Sequence, residues 1–137
     1  MKFEDYRISD KLKHNILEKG FKRPTDIQFK SIPAILRRED VLAIAQTGTG
    51  KTAAFVIPVL QNILKIPKKA QQDGVICAVM APTHELAEQI TQVFLDFTTD
   101  LDISVLCIHG GVSQDDQIDK LTKGVDVVGT DCSCCFC

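Results

Sequence analysis

The sequence predicts an α/β fold, a parallel β-sheet with helices on both faces. Short runs that are apolar at every position, as in strands buried on both faces, recur along the chain. Each run is followed by a segment in which apolar residues have the spacing of a helix. Because strands that alternate with helices are joined by right-handed crossovers, these strands are expected to be parallel.

Two helical segments are predicted before the first strand. Residues 9–20 have an apolar face, begin with a serine that can cap the helix, and end at a glycine, which is common at that position. A second segment starts at Pro24 and covers residues 24–29. Pro33 is expected to interrupt this helix and restart it for residues 34–36.

Four strands are predicted. Residues 41–45, Val-Leu-Ala-Ile-Ala, are apolar on both faces and form the first. A polar surface connection is expected over residues 65–74. The other strands are predicted at 75–80, 103–108 and 125–128, and the helices between and beside them at 52–64, 85–97 and 115–121.

The composition is that of an ordinary soluble globular protein, with 45% hydrophobic and 25% charged residues. No apolar stretch is long enough to span a bilayer and no signal peptide is recognisable, so a cytoplasmic protein without membrane association is expected. The net charge of −2 is not that of a protein that binds nucleic acid mainly through a basic surface. Any affinity for nucleic acid must come from local contacts and backbone amides.

The six cysteines are unevenly distributed. Cys77 and Cys107 lie in apolar runs and are expected to be buried small hydrophobic residues. The other four crowd the last six residues, which lack the two separated ligand pairs of a typical zinc site. Adjacent cysteines rarely pair with each other. An unstructured thiol-rich end is therefore favoured over a metal site in this tail.

Residues 45–52, Ala-Gln-Thr-Gly-Thr-Gly-Lys-Thr, have the spacing of a phosphate-binding loop between a strand and a helix. Gly48 and Gly50 allow the backbone amides to point at phosphate oxygens, and the helix that follows adds its positive end. Lys51 can reach the β- and γ-phosphates, and the Thr52 hydroxyl can ligate Mg²⁺. The alternative, a chance glycine-rich turn, is disfavoured by the flanking elements. The predicted nucleotide site consists of Ala45, Gln46, Thr47, Gly48, Thr49, Gly50, Lys51 and Thr52.

Several separate stretches together resemble the N-terminal, RecA-like domain of DEAD-box ATP-dependent RNA helicases. The resemblance covers residues 3–130 and implies a P-loop NTPase fold, here incomplete, that uses ATP and Mg²⁺. The matching stretches, in the family's order, are Phe3 (the isolated upstream aromatic), residues 20–28 (the Q motif), 45–52 (motif I), 81–87 (motif Ia), Gly110 with Gly111 (the GG element) and 128–130 (the start of motif Ib).

The resemblance implies that the Q motif recognises the adenine of ATP. Gln28 would bond the adenine edge with its acceptor and donor together, and Phe21 would stack on the base. Thr25 would tie the Q motif to the phosphate loop by hydrogen bonds. Without the resemblance, Phe21 is a core aromatic residue, Gln28 a solvated helix residue and Thr25 a helix cap.

The resemblance also implies a face that grips the sugar–phosphate backbone of RNA without reading its sequence. On the residues alone, Thr83 is a helix cap and Glu85 an acid favoured by the helix dipole, and both roles are compatible with RNA contact. The family usually has arginine where this chain has His84, so a weaker grip on RNA is expected. The residues assigned to this face are Pro82, Thr83, His84, Glu85, Gly110, Gly111 and Thr130.

The chain departs from the family after Thr130, where the family continues Pro-Gly-Arg and this sequence continues with Asp131 and the cysteine-rich tail. A frameshifted, alternatively spliced or artificial end is one hypothesis. The 137 residues contain neither an Asp-Glu-Ala-Asp motif nor the family's second domain. We therefore expect residues 1–130 to form a partial ATP-binding domain that binds nucleotide with little or no turnover, and residues 131–137 to form a tail outside the family.

The absent strands would lie beside the phosphate-loop strand in this family, so unpaired edges and exposed apolar faces are expected. Two other functions remain open at this point. One is a P-loop ATPase that acts on protein or DNA, against which residues 20–28 argue. The other is a non-catalytic truncated isoform that competes with its parent for RNA or for unknown protein partners. A reading frame without function is a third possibility.

Overall fold

The computed structural model describes residues 1–67, 74–111 and 113–132. The chain forms two compact units. One comprises Met1–Lys65 and Asp96–Leu101, and the other comprises the described residues of Ile66–Leu95 and Asp102–Cys137. No helix among the described residues combines the length and apolar character that crossing a membrane requires.

The first unit is helical. After a single 3-10 turn at Phe3–Asp5 it contains α1 (Asp10–Glu18), α2 (Asp26–Leu36) and α3 (Lys51–Leu64). Ser9 caps α1 as predicted, since its Oγ accepts a hydrogen bond of 3.3 Å from Leu12 N. The largest fully buried side chains of this unit are Phe3, Leu12, Ile16, Gln28, Ile32, Val56, Ile57, Leu60, Ile63 and Phe97.

The predicted interruption at Pro33 is wrong, because α2 continues through this residue. Proline lacks the N–H that would donate to the carbonyl four residues earlier, but its own carbonyl can still accept a helical hydrogen bond. The next turn is still closed, since Arg37 N donates to Pro33 O at 3.2 Å and to Ala34 O at 3.1 Å. Arg37 is the C-cap of the helix, which ends at Leu36.

The prediction of a buried strand at residues 41–45 is also wrong. The run belongs to no strand, and none of its backbone groups bonds to the backbone of another described residue. Leu42 is 91% exposed and Ile44 is 86% exposed. An extended segment needs a neighbouring strand to satisfy its N–H and C=O groups, and the described residues supply none beside it. The expected exposed apolar face is present.

The second unit contains a three-stranded parallel sheet, which confirms the α/β fold class. Its elements are β1 (Cys77–Ala81), α4 (His84–Phe97, whose last two residues belong to the first unit), β2 (Val105–Ile108), α5 (Gln114–Thr122) and β3 (Val127–Asp131). The strand order is β1-β3-β2, so β3 bonds to both neighbours. Helix α4 lies close against β3, because a Cβ added at Gly129 would collide with the Oγ1 of Thr91.

The strands of this unit depart from their predicted bounds and burial. Strand β1 starts at Cys77 rather than Val75, and its residues alternate between half-buried and exposed up to the buried Ala81, with Met80 61% exposed. Cys77 and Cys107 are likewise half-buried, and burial raises the pKa of the Cys77 thiol. Strand β3 extends to Asp131, which the sequence had assigned to the tail. The predicted tail at 133–137 and most of the connection at 65–74 lie outside the described residues.

The carboxyl ends of the three strands meet at one edge of the sheet. Ala81 of β1 is in register with Asp131 of β3, and Ile108 of β2 with Thr130 of β3. The segments that follow β1 and β2 therefore leave the sheet next to the end of β3. In open parallel sheets this is the edge at which ligands bind.

Candidate functional site

The phosphate loop ends in an open helix N-terminus. Gly48 and Gly50 both have φ of +80°, a conformation that side chains other than glycine rarely adopt. Gly50 is the N-cap of α3 and contributes no side-chain cap. The first amides of α3 are consequently left without a capping side chain, which is the arrangement that binds phosphate at helix N-termini.

Two side chains of the loop close it on itself. Lys51 Nζ donates to Ala45 O at 2.6 Å, and Thr49 Oγ1 donates to Gln46 O at 2.6 Å. The ammonium group is therefore held across the loop by a single exposed carbonyl. An incoming phosphate oxygen can replace that carbonyl as the acceptor, because a charged hydrogen bond to phosphate is stronger than one to a neutral carbonyl.

The Q motif is hydrogen-bonded to the phosphate loop. Thr25 Oγ1 donates to Thr49 O at 2.8 Å, and Gln28 Nε2 donates to Gly50 O at 3.2 Å. Gln28 Oε1 accepts from Thr25 N at 3.0 Å, so the two side chains also cap α2. The structure thus brings Thr25, Gln28 and the loop together as one network within the first unit.

Gln28 and Phe21 are both engaged within the protein. Gln28 is 1% exposed, which excludes a solvated helix residue, and both ends of its amide are bonded to backbone groups. Phe21 is half-buried and meets the rings of Phe97 and Phe3 edge-on, at centroid distances of 5.5 and 6.3 Å. Adenine recognition by these two side chains stays a prediction, and for Gln28 it requires that its backbone bonds be exchanged.

A groove of about 650 Å³ lies next to the loop in the first unit. Its wall includes Thr25, Lys30, Ala45 and Thr49 together with the exposed run at 41–45. The donors of the loop fit a polyphosphate: the backbone amides beside the two positive-φ glycines, the uncapped amides of α3 and the ammonium group of Lys51. For Mg²⁺ the loop offers the hydroxyl of Thr52, which is half-buried at the start of α3.

The residues predicted to contact RNA gather at the carboxyl edge of the sheet. Pro82 and Thr83 follow β1 and are exposed, Gly110 and Gly111 follow β2 and are exposed, and Thr130 lies in β3. Thr83 Oγ1 accepts from Leu86 N at 3.2 Å and so caps the first turn of α4. Glu85 is exposed in that same turn.

His84 lies in a polar cluster that the sequence did not reveal. Its Nε2 is 3.2 Å from Glu88 Oε1, and its Nδ1 is 3.8 Å from Asp131 Oδ2. Its ring centroid is 4.2 Å from that of His109. The spacing of His84 and Glu88, four residues apart on a helix, was the one signal available in the sequence. The proximity of His109 and Asp131 follows only from the strand register.

The side chain of Gln117 bonds to both backbone polar groups of His109. Gln117 Oε1 accepts from His109 N at 3.2 Å, and Gln117 Nε2 donates to His109 O at 3.1 Å. His109 Nδ1 lies 3.1 Å from Gly110 O. The imidazole is therefore positioned by a side chain from α5 as well as by the end of β2.

Most of the chain matches the model of one protein family. The DEAD/DEAH box helicase family model matches residues 25–133, which includes the phosphate loop and the whole sheet. This chain belongs to that family.

Relatives and a solved structure agree with this membership. The chain is 41% identical over 130 residues to DEAD-box ATP-dependent RNA helicase 21 of Oryza sativa subsp. japonica, covering 93% of this chain and 18% of the relative. It is 42% identical over 116 residues to the ATP-dependent RNA helicase ddx46 of Dictyostelium discoideum, covering 84% of this chain and 10% of the relative. The chain thus spans less than a fifth of the length of either relative.

The structure is similar to that of a DEAD box protein from the hyperthermophile Methanococcus jannaschii. The TM-score is 0.85 at 33% sequence identity, and the match covers 96% of this chain and 34% of the other. The RecA-like architecture expected from the sequence is thereby confirmed.

Proposed function

We propose that this chain is the ATP-binding part of a DEAD-box RNA helicase. The observation that carries the proposal is the network in which Thr25 and Gln28 hold Thr49 and Gly50 beside an uncapped helix N-terminus. Such a network couples the predicted base-binding segment to the phosphate-binding backbone. The relatives named ATP-dependent RNA helicases support the same assignment.

In this proposal the loop binds the phosphates and the Q motif binds the base. The amides that follow Gly48 and Gly50 hold the phosphate oxygens, Lys51 exchanges the Ala45 carbonyl for the terminal phosphates, and Thr52 contributes an oxygen to Mg²⁺. When bound, ATP supplies the phosphoanhydride whose hydrolysis drives the parent protein. Gln28 and Phe21 favour adenine over guanine.

The whole parent protein, in this proposal, couples RNA-dependent ATP hydrolysis to the separation of RNA strands. The 137-residue chain by itself binds nucleotide with little or no turnover, because its sequence contains no Asp-Glu-Ala-Asp element. The resemblance assigns to that element the carboxylates that hold Mg²⁺ and activate water. The carboxyl edge of the sheet contributes a weak, sequence-independent contact to the RNA backbone.

The test is calorimetric titration of the folded 137-residue chain with ATP in the presence of Mg²⁺. We expect one-to-one binding that Lys51→Ala weakens by about tenfold or more, since the variant loses a charge-assisted bond to phosphate. Lys11→Ala is the matched control, because Lys11 is an exposed lysine of α1 and belongs to neither the loop nor the Q motif. Equal affinities of the chain and Lys51→Ala, or no binding by a folded sample, would refute the nucleotide site.

A second titration with GTP tests the role of the Q motif. ATP is expected to bind more tightly than GTP, and Gln28→Ala is expected to reduce that preference. The stability of Gln28→Ala is measured in parallel by urea unfolding, because this side chain also bonds to Gly50 O. If the variant is folded and keeps the full preference for ATP, Gln28 does not read the base.

A further inference from the structure

We propose that His84, Glu88 and His109 form a binding site for a divalent transition-metal ion. One potential ligand atom from each of these three residues lies within 4.8 Å of the others. The residues come from two elements: His84 and Glu88 lie one turn apart on α4, and His109 directly follows β2. This inference does not depend on nucleotide or RNA binding.

The spacing of the ligand atoms suits a tetrahedral ion. Two donor atoms that are each about 2.0–2.1 Å from a tetrahedral zinc ion are about 3.3 Å apart. His84 Nε2 and Glu88 Oε1 are 3.2 Å apart, so this pair already has the required separation. The ring of His109, with its centroid 4.2 Å from that of His84, has to move little to bring a nitrogen to the third position.

The Nδ1 atom of His84 is arranged as in a metal site with an outer carboxylate. This atom is buried and has no hydrogen-bond partner among the described residues, while Asp131 Oδ2 lies 3.8 Å away. Metal-bound histidines usually donate their second ring N–H to a carboxylate or a backbone carbonyl. A shift of under an ångström brings His84 Nδ1 within hydrogen-bond distance of Asp131 and leaves Nε2 for the metal.

His109 follows the same rule with a backbone carbonyl. Its Nδ1 is 3.1 Å from Gly110 O, and donation to that carbonyl leaves the lone pair of Nε2 available for an ion. The two hydrogen bonds with Gln117 fix the backbone from which this ring projects. Both histidines therefore have an outer acceptor for one nitrogen and a second nitrogen for the ion.

The donor set selects the class of metal. Two imidazoles and one carboxylate suit Zn²⁺, Co²⁺ or Ni²⁺, whereas Mg²⁺ and Ca²⁺ prefer oxygen ligands alone. Three protein ligands leave a fourth position for water. The site is thus distinct in chemistry from the Mg²⁺ position proposed at Thr52.

The experiment uses Co²⁺ as the probe with the full, tag-free chain, both unaltered and with Cys132, Cys134, Cys135 and Cys137 replaced by serine. We expect one Co²⁺ per chain, with tetrahedral visible absorption that Zn²⁺ displaces, and no thiolate-to-cobalt charge-transfer bands in either protein. Glu88→Gln and His109→Gln are each expected to lower the Co²⁺ affinity by about tenfold or more. His14→Gln, which alters the exposed histidine of α1, is the matched control.

Asp131→Asn tests the positioning role of the outer carboxylate. We expect a lower affinity, of the order of tenfold, with the tetrahedral spectrum retained, because Asp131 contacts His84 and not the ion. If Asp131 had only a structural role, Asp131→Asn would leave the Co²⁺ affinity of the folded protein unchanged.

Proton NMR of the unaltered chain keeps the proposal testable if a variant fails to fold. The sequence contains three histidines, so Zn²⁺ should shift two sets of imidazole signals and leave that of His14 unchanged. The proposal is overturned if Co²⁺ binding is lost only with the four cysteines, if Glu88→Gln and His109→Gln bind as the unaltered chain does, or if a folded sample binds no Co²⁺. None of these results bears on ATP affinity, which is measured separately.

Discussion

At the scale of single residues, His84 is expected to weaken the proposed RNA contact. We predict that His84→Arg increases the affinity for single-stranded RNA by about three- to tenfold, because an arginine adds a permanent charge and a two-pronged bond to phosphate. The slope of log affinity against log salt should steepen by about one phosphate contact. Fluorescence anisotropy with a labelled oligonucleotide at several salt concentrations measures both quantities.

The control for this prediction is His14→Arg, which adds the same charge on α1. A similar increase for both variants would mean that the gain comes from net charge. It would argue against RNA contact at the carboxyl edge of the sheet.

Gly50 combines a left-handed backbone with a close side-chain neighbour. A Cβ added here would collide with Gln28 Nε2, whereas one added at Gly20, whose φ is +83°, meets no atom within 4 Å. Alanine at either position costs about 1–2 kcal/mol for the backbone conformation, and Gly50→Ala costs a further ~1–3 kcal/mol for the overlap with a buried side chain. Urea unfolding of the two variants measures the difference.

Gly50→Ala should also weaken ATP binding, because displacing Gln28 disturbs the loop that it holds. Gly20→Ala should leave ATP binding unchanged. Equal stabilities of the two variants would show that the Gln28 side chain can move away from a Cβ at position 50 without loss of stability.

At the scale of elements, two asparagine side chains donate to carbonyl groups at the C-terminal ends of helices, one at the end of α4 and one at the end of α2. Asn15 Nδ2 donates to Phe97 O at 2.9 Å and Thr99 O at 2.7 Å, at the end of α4, while Asn62 Nδ2 donates to Ile35 O at 2.8 Å in α2. We predict that Asn15→Ala costs about 2–3 kcal/mol of unfolding free energy, since it strands a buried carbonyl, and Asn62→Ala about 1 kcal/mol. Chemical denaturation measures the unfolding free energy of both variants. A larger loss for Asn62→Ala than for Asn15→Ala would contradict the prediction.

Local patterns predicted most helices, and non-local pairing explains most of what they missed. The cap at Ser9 and the glycines of the phosphate loop act within a few residues of themselves, so their structural consequences are visible in the sequence. The run at 41–45 has the composition of a strand, but a strand exists only if another strand lies beside it. Composition does not reveal that neighbour.

The polar cluster of the second unit was hidden for the same reason. His109 and Asp131 are brought to His84 by the register of β2 and β3, which no local pattern specifies. Asn15 has no apolar or glycine signature that would mark it as the partner of residues more than eighty positions away. The glycine-rich loop and the helix that follows it could thus be located from the sequence, whereas the cluster around His84 could not.

At the scale of the whole molecule, the exposed run at 41–45 should govern solubility. We predict that the 137-residue chain self-associates as its concentration rises, and that the double variant Leu42→Ser, Ile44→Ser reduces this association. Its unfolding free energy should change by no more than about 0.5 kcal/mol, because both side chains are almost fully exposed. Sedimentation velocity at several concentrations provides the measurement.

Ile118→Ser is the control for surface hydrophobicity, since Ile118 is 56% exposed on α5 and lies outside the run. It should leave association unchanged. If it is as effective as the double variant, association does not depend on residues 41–45.

The strand order has a consequence for the nascent chain. Strands β1 and β2 are synthesised first, yet within residues 1–67, 74–111 and 113–132 each bonds only to β3, which is synthesised after both. At translation rates of about 5–20 residues per second, both segments leave the ribosome seconds before the strand that joins them. During that interval the second unit has no sheet, and a chaperone that binds extended apolar segments has its best opportunity to act on it.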